Sequence, residues 1–131
     1  MITNVGKNLL IDSGIRGQTQ TSTWYVGLID YNNFGVVLPT DTAAEHSGWE
    51  ENTDYTAATR QQITFDEATG GKSTNGTVVT LTTNAAVSII GYFVISNNTK
   101  GGDTGTLLST HVFKGPVSYD NAATINITIQ L

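Results

Sequence analysis

The chain has 131 residues, a length that suits one compact domain. It has no cysteine, which excludes a disulfide framework, a thiol nucleophile and any Cys-ligated metal centre. Its formal charge of −5 comes with Lys7, Arg16, Arg60, Lys72, Lys100 and Lys114 scattered singly, which argues against nucleic acid as a partner because phosphate is held first by clustered cations.

Charged residues make up only 13% of the chain, and polar uncharged residues fill the gap, among them 22 threonines. The branched, stiff Cβ of threonine favours strands and turns over helices. No run approaches the roughly 18 apolar residues of a membrane helix, and polar residues interrupt MITNVGKNLLIDSGIRG every few positions. The expectation is a soluble chain made in the cytoplasm without a cleaved leader, with no membrane partner.

In chain order, Thr3 to Ser13 places Ile2, Val5, Leu9 and Leu10 near spacings of three and four, which predicts a short helix capped by Thr3 or Asn4 and ended by Gly14. TSTWYVGLIDY, from Thr21, sets Trp24, Val26 and Leu28 against Tyr25, Gly27 and Ile29. Both faces are apolar, so this strand should have neither face left to water. A turn-rich connection over Asn32 to Thr40 leads to Asp41-Thr42-Ala43-Ala44-Glu45, which reads as a second small helix stopping at Gly48.

Strands follow at RQQITFDE from Arg60 and at GTVVTLTT from Gly76, the latter with Val79 and Leu81 on one face and Val78 on the other. VSIIGYFVISN is the best central strand, with Val87, Ile89, Gly91, Phe93 and Ile95 opposite Ile90, Tyr92 and Val94. TLLSTHVFK, from Thr106, sets Leu107, His111 and Phe113 opposite Leu108, Thr110 and Val112. TINITIQL alternates strictly, with Ile125, Ile127, Ile129 and Leu131 inward. Turns are expected at Gly70 to Gly76, Asn97 to Gly105 and Gly115 to Asn121. The predicted fold is mainly β: a single-domain antiparallel β-sandwich over residues 1–131, jelly-roll-like, with one or two short helices near the N-terminus.

Candidate chemistry is sparse. His111 lies in an apolar strand and reads as a packed, hydrogen-bonded core residue. His46, in Glu45-His46-Ser47 beside Asp41, has the residue type of a metal ligand but no second histidine at a matching spacing, so a loop role is favoured. Asp41, Glu45, Glu50, Glu51 and Asp54 form an acidic stretch without the order of a calcium loop, which favours a solvated surface over an ion site. GGKST at Gly70 to Thr74 lacks the upstream glycine of a phosphate loop and reads as a hairpin turn, and TKGGDTGT at Thr99 to Thr106 connects two strands. Trp49 and Tyr55, near Tyr31 and Phe34 in sequence, are either an exposed sugar-stacking platform or the seal at the base of a long loop. Arg60 is expected to tie down a nearby carboxylate. No acid, base or nucleophile set emerges, so no catalytic, cofactor-binding or metal residue is assigned and the expectation is a protein that is not an enzyme.

Three stretches resemble a family of small proteins from tailed-bacteriophage genomes, found among virion structural genes. They are NVGKNLLIDS leading into TWYVGLIDYN (Asn4 to Asn32), DTAAEHSGWEENTDYTAATRQQITF (Asp41 to Phe65) and GYFVISNNTKGGDTGTLLSTHVF (Gly91 to Phe113), the last followed by a short strand closing the chain, so that the match touches most of the chain. The resemblance implies a β-sandwich virion protein without catalytic residues or cofactor. In that role it is a cement or decoration protein on the outer capsid surface, acting as a symmetric homo-oligomer with the major capsid protein as partner. The alternative within the same resemblance is a tail or fibre module that binds a host-surface glycan. On the cement reading, the loops Asn32 to Thr59 and Asn97 to Gly105 are expected to make subunit or capsid contacts; the tail or fibre reading expects exposed Trp49 or Tyr55 to bind the glycan.

Overall fold

A computed structural model describes all residues from Met1 to Leu131. The fold is mainly β, with one helix, α1 (Asn4–Gly14), and seven strands: β1 (Trp24–Asp30), β2 (Glu51–Asn52), β3 (Gln61–Ile63), β4 (Val79–Thr82), β5 (Val87–Ile95), β6 (Leu107–Tyr119) and β7 (Thr124–Ile127). The large sheet runs β2-β1-β5-β6, with β3 following β2 along the same edge of β1, and the small sheet pairs β4 with β7. All pairings are antiparallel.

The alternating patterns place the main core between the two sheets. Val79 and Leu81 of β4, with Ile125, Ile127 and Ile129 at the end of the chain, face Val26 and Leu28 of β1 and Val87, Ile89, Tyr92 and Val94 of β5. Val78 points outward, and the threonines of β4 and β7 are exposed, as the period-two pattern requires. The opposite face of the large sheet carries a second apolar layer of Ile29, Ile90, Phe93, Ile95 and Leu107. It is covered by Ala43 and Trp49, with Val5, Phe34 and Val37 packed alongside. The doubly apolar β1 is therefore buried on both faces.

α1 starts where expected. Thr3 caps it, its Oγ1 accepting from the Gly6 amide at 3.0 Å and donating to the Leu107 carbonyl. The helix lies directly on β6 because Gly6 has no side chain: a Cβ there would stand 2.4 Å from the Leu108 carbonyl oxygen. The GGKST segment is a hairpin tip. Thr69 and Lys72 exchange both backbone bonds across Gly70 and Gly71, whose φ values of +60° and +76° suit the left-handed turn that glycine enters without steric cost.

Three expectations are corrected. The strict alternation of β5 fails at Ile90, which has no partner on either side: Ile29 and Asp30 of β1 pair with Gly91 and Ile89, and so do Val112 and Val117 of β6. This bulge exchanges faces, so Val87 and Ile89 share the main core with Tyr92 and Val94, while Ile90, Phe93 and Ile95 line the second layer. A further irregularity at Leu108 puts Leu107 on the face opposite His111 and Phe113. Finally, the expected turn from Gly115 is strand through Tyr119. Pro116 is tolerated because it falls in the unpaired stretch Phe113 to Pro116 facing the bulge, where no ladder donor is needed.

Candidate functional site

The long connection between β1 and β2 folds over the second apolar layer and forms an open groove of about 730 Å³ lined by Asp41, Glu45, His46, Trp49 and Glu50, with Leu38 at its lip. The expected second helix is absent. Thr42 accepts from the Glu45 amide through Oγ1 at 3.0 Å while its own amide donates to the Glu45 carbonyl at 2.9 Å, a reciprocal turn opposite in sense to helical bonding. The Asp41 carboxylate is also engaged, with Oδ2 accepting from the Leu38 amide at 2.8 Å and from the Trp49 indole at 2.9 Å. Burial of Asp41 and Trp49 with these bonds satisfied pins the loop to the sheet.

His46 stacks on Trp49 with ring centroids 4.0 Å apart, and its Nδ1 is 2.9 Å from the Trp49 carbonyl oxygen. This is the loop role favoured from sequence. Asp41, Glu45 and Glu50 share the groove with His46, yet no three His, Asp or Glu side chains stand close enough to hold a metal ion.

The sugar-platform reading of Trp49 and Tyr55 is overturned, since they are 3% and 0% exposed. Trp49 seals the loop against Phe93, and Tyr55 lies in the main core. The Tyr55 hydroxyl has no hydrogen-bond partner, and burial, reinforced by Glu51 and opposed by Arg60, pushes its ionisation well above the ordinary tyrosine value.

Arg60 finds its carboxylate. Its Nε and Nη2 meet Glu51 Oε1 and Oε2 at 3.0 and 2.6 Å, a bidentate pair with both side chains buried. The same guanidinium donates to the Asn97 and Gly102 carbonyls at 3.0 and 2.9 Å, and the Gly101 amide donates to Glu51 Oε2 at 2.8 Å. Lys100, which the sequence reading left without a role, crosses back to donate to the Tyr55 and Ala57 carbonyls at 2.7 and 2.8 Å, with its ammonium 4.1 Å from the Tyr55 ring centroid. The two loops named from sequence as contact surfaces are thus stitched into one rigid edge. Single cations beside an acidic stretch were the available signal; the carbonyls they reach left none.

His111 lies on the core side of β6, paired with Tyr92, and its Nε2 is 2.9 Å from Ser109 Oγ. Burial, with a smaller effect from the nearby amino terminus, lowers its pKa from 6.5 to about 4, so it is neutral at physiological pH. No protein-family model matches the chain and no curated protein is similar to it, and no helix is long and apolar enough to cross a membrane.

Proposed function

We propose that this chain is a structural protein of a tailed-bacteriophage virion, a cement or decoration protein that binds the outer capsid surface and stabilises contacts between neighbouring major capsid protein subunits. The observation that carries the reading is where the phage-like stretches fall. Asn4 to Asn32, Asp41 to Phe65 and Gly91 to Phe113 contribute α1, β1, β2, β3, most of β5 and the first half of β6, together with the covering loop. Of the small sheet, β4 lies outside all three stretches, and β7 is the short strand that closes the chain after the third. The three stretches thus build most of the large sheet with its outer layer, the part of the molecule that presents the groove and the stitched loops. A clamp needs such a fixed polar surface, and many weak contacts repeated over a symmetric shell add up to firm attachment.

The polar groups best suited to chemistry are held in structural bonds: Arg60 with Glu51, Lys100 with backbone carbonyls, His111 with Ser109, and Asp41 with Trp49. Such fixed groups suit a scaffold for binding. The test is co-sedimentation of the purified chain with capsids assembled without it. Saturable binding, with a raised temperature of capsid disruption, is the expected result; capsids that sediment without the chain at every concentration contradict the proposal.

A further inference from the structure

The layer covering the large sheet carries two complementary patches side by side. One is the groove, with Asp41, Glu45 and Glu50 and no lysine or arginine among its lining residues, edged by Leu38 (44% exposed) and, beyond it, Val36 (50% exposed). The other is the outer face of α1 and the turn after it, which leaves Leu10 and Ile11 about half exposed and Ile15 82% exposed, beside the exposed cations Lys7 and Arg16, the latter in an exposed pair with Asp12 at 2.9 Å that a partner's carboxylate would exchange for or share. They adjoin, because the Asn4 amide at the start of α1 donates to the Pro39 carbonyl at 2.7 Å, one residue past Leu38. Charge is divided the same way. Residues 1–20 hold Lys7, Arg16 and Asp12, net 2 − 1 = +1; residues 21–131 hold the other 4 cations and 10 carboxylates, net −6, which together give the −5 of the chain.

We propose that this layer is a self-association surface on which α1 of one copy seats on the acidic groove of a second. Leu10, Ile11 and Ile15 cover the apolar lip at Leu38 and Val36, while Lys7 and Arg16 reach the carboxylates of Glu45 and Glu50. The occupant is a second copy because the chain itself supplies both halves of the match, apolar stripe to apolar lip and cation to carboxylate. With the start of α1 bonded to the segment that edges the groove, a two-fold axis near that junction would form both contacts at once and close a dimer. The inference does not depend on a capsid partner.

Sedimentation velocity on the full chain, from about 1 to about 200 µM, tests it. The expected result is a monomer–dimer equilibrium that weakens as salt is raised. Reversing one side, Lys7→Glu with Arg16→Glu, or the other, Glu45→Lys with Glu50→Lys, should weaken dimerisation by about tenfold or more. Mixing the two reversed proteins should restore it, since each helix then meets a groove of opposite charge, and misfolded variants would not recover on mixing. A wild-type chain that stays monomeric throughout, a dimer unmoved by both reversals, or folded reversed proteins that fail to pair would each overturn the proposal.

Discussion

Arg60 and Glu51 are the residues whose removal should cost most for the least change in volume. Taking away the guanidinium leaves a buried carboxylate uncompensated and frees the Asn97 and Gly102 carbonyls. Arg60→Met is therefore expected to destabilise the fold by about 3–5 kcal/mol. Adding Glu51→Leu to that variant should recover a large part of the loss, because no uncompensated charge then remains buried at this site. Urea midpoints for the two single variants and the double variant measure this coupling.

His111 gives a residue-scale prediction in pH. The unfolded chain takes up a proton on this ring near 6.5, the folded chain only at about 4. Between those values the unfolded state binds more protons, so the stability contribution is fully present above about 6.5 and is lost as pH falls toward 4. Thermal melts of the wild type and of His111→Gln over that window should show a shallower acid decline in the variant. Parallel curves would mean that the imidazole is as protonatable folded as unfolded.

At the scale of elements, α1 depends on close approach to β6. Gly6→Ala sets a methyl against the Leu108 carbonyl and should cost about 1–3 kcal/mol, with amide exchange accelerated first in Asn4 to Gly14. If exchange speeds up equally in β4 and β7, the helix is not a separable unit. The elements also show what a single sequence makes legible. The helix cap at Thr3, the two apolar faces of β1 and the closing alternation of β7 were readable because each rests on a local pattern with no irregularity inside it. The faces of β5 were not, since Ile90 becomes a bulge only through its neighbours on both sides. Pro116 looked like a turn for the same reason: only the long-range pairing reveals that its missing donor is not needed. The helix expected at Asp41 lost to a tertiary contact, the Trp49 indole on the Asp41 carboxylate. Of the candidate site, the acidic residues and His46 were visible in sequence. Their gathering with Leu38 around one groove depends on the loop's path over Phe93 and Ile95 and has no local signature.

At the scale of the whole molecule, the division of labour is between two faces. The small sheet closes the main core through Val79, Leu81, Ile125 and Ile127 and turns its threonines to solvent. The outer layer of the large sheet concentrates the acidic groove, the exposed face of α1 and the loops stitched by Arg60 and Lys100. A chain with charges at only 13% thus gathers the groove, the exposed face of α1 and the stitched loops in one layer, which is the surface the proposed capsid contact would use. The measurement that bears most directly on this account is high-resolution imaging of the intact phage particle. The account predicts density for this sandwich at regular positions on the outside of the capsid shell, bridging neighbouring capsid subunits through the layer that contains residues 32–59 and 97–105. Density for it only in the tail or fibres, or none in the particle, would contradict it.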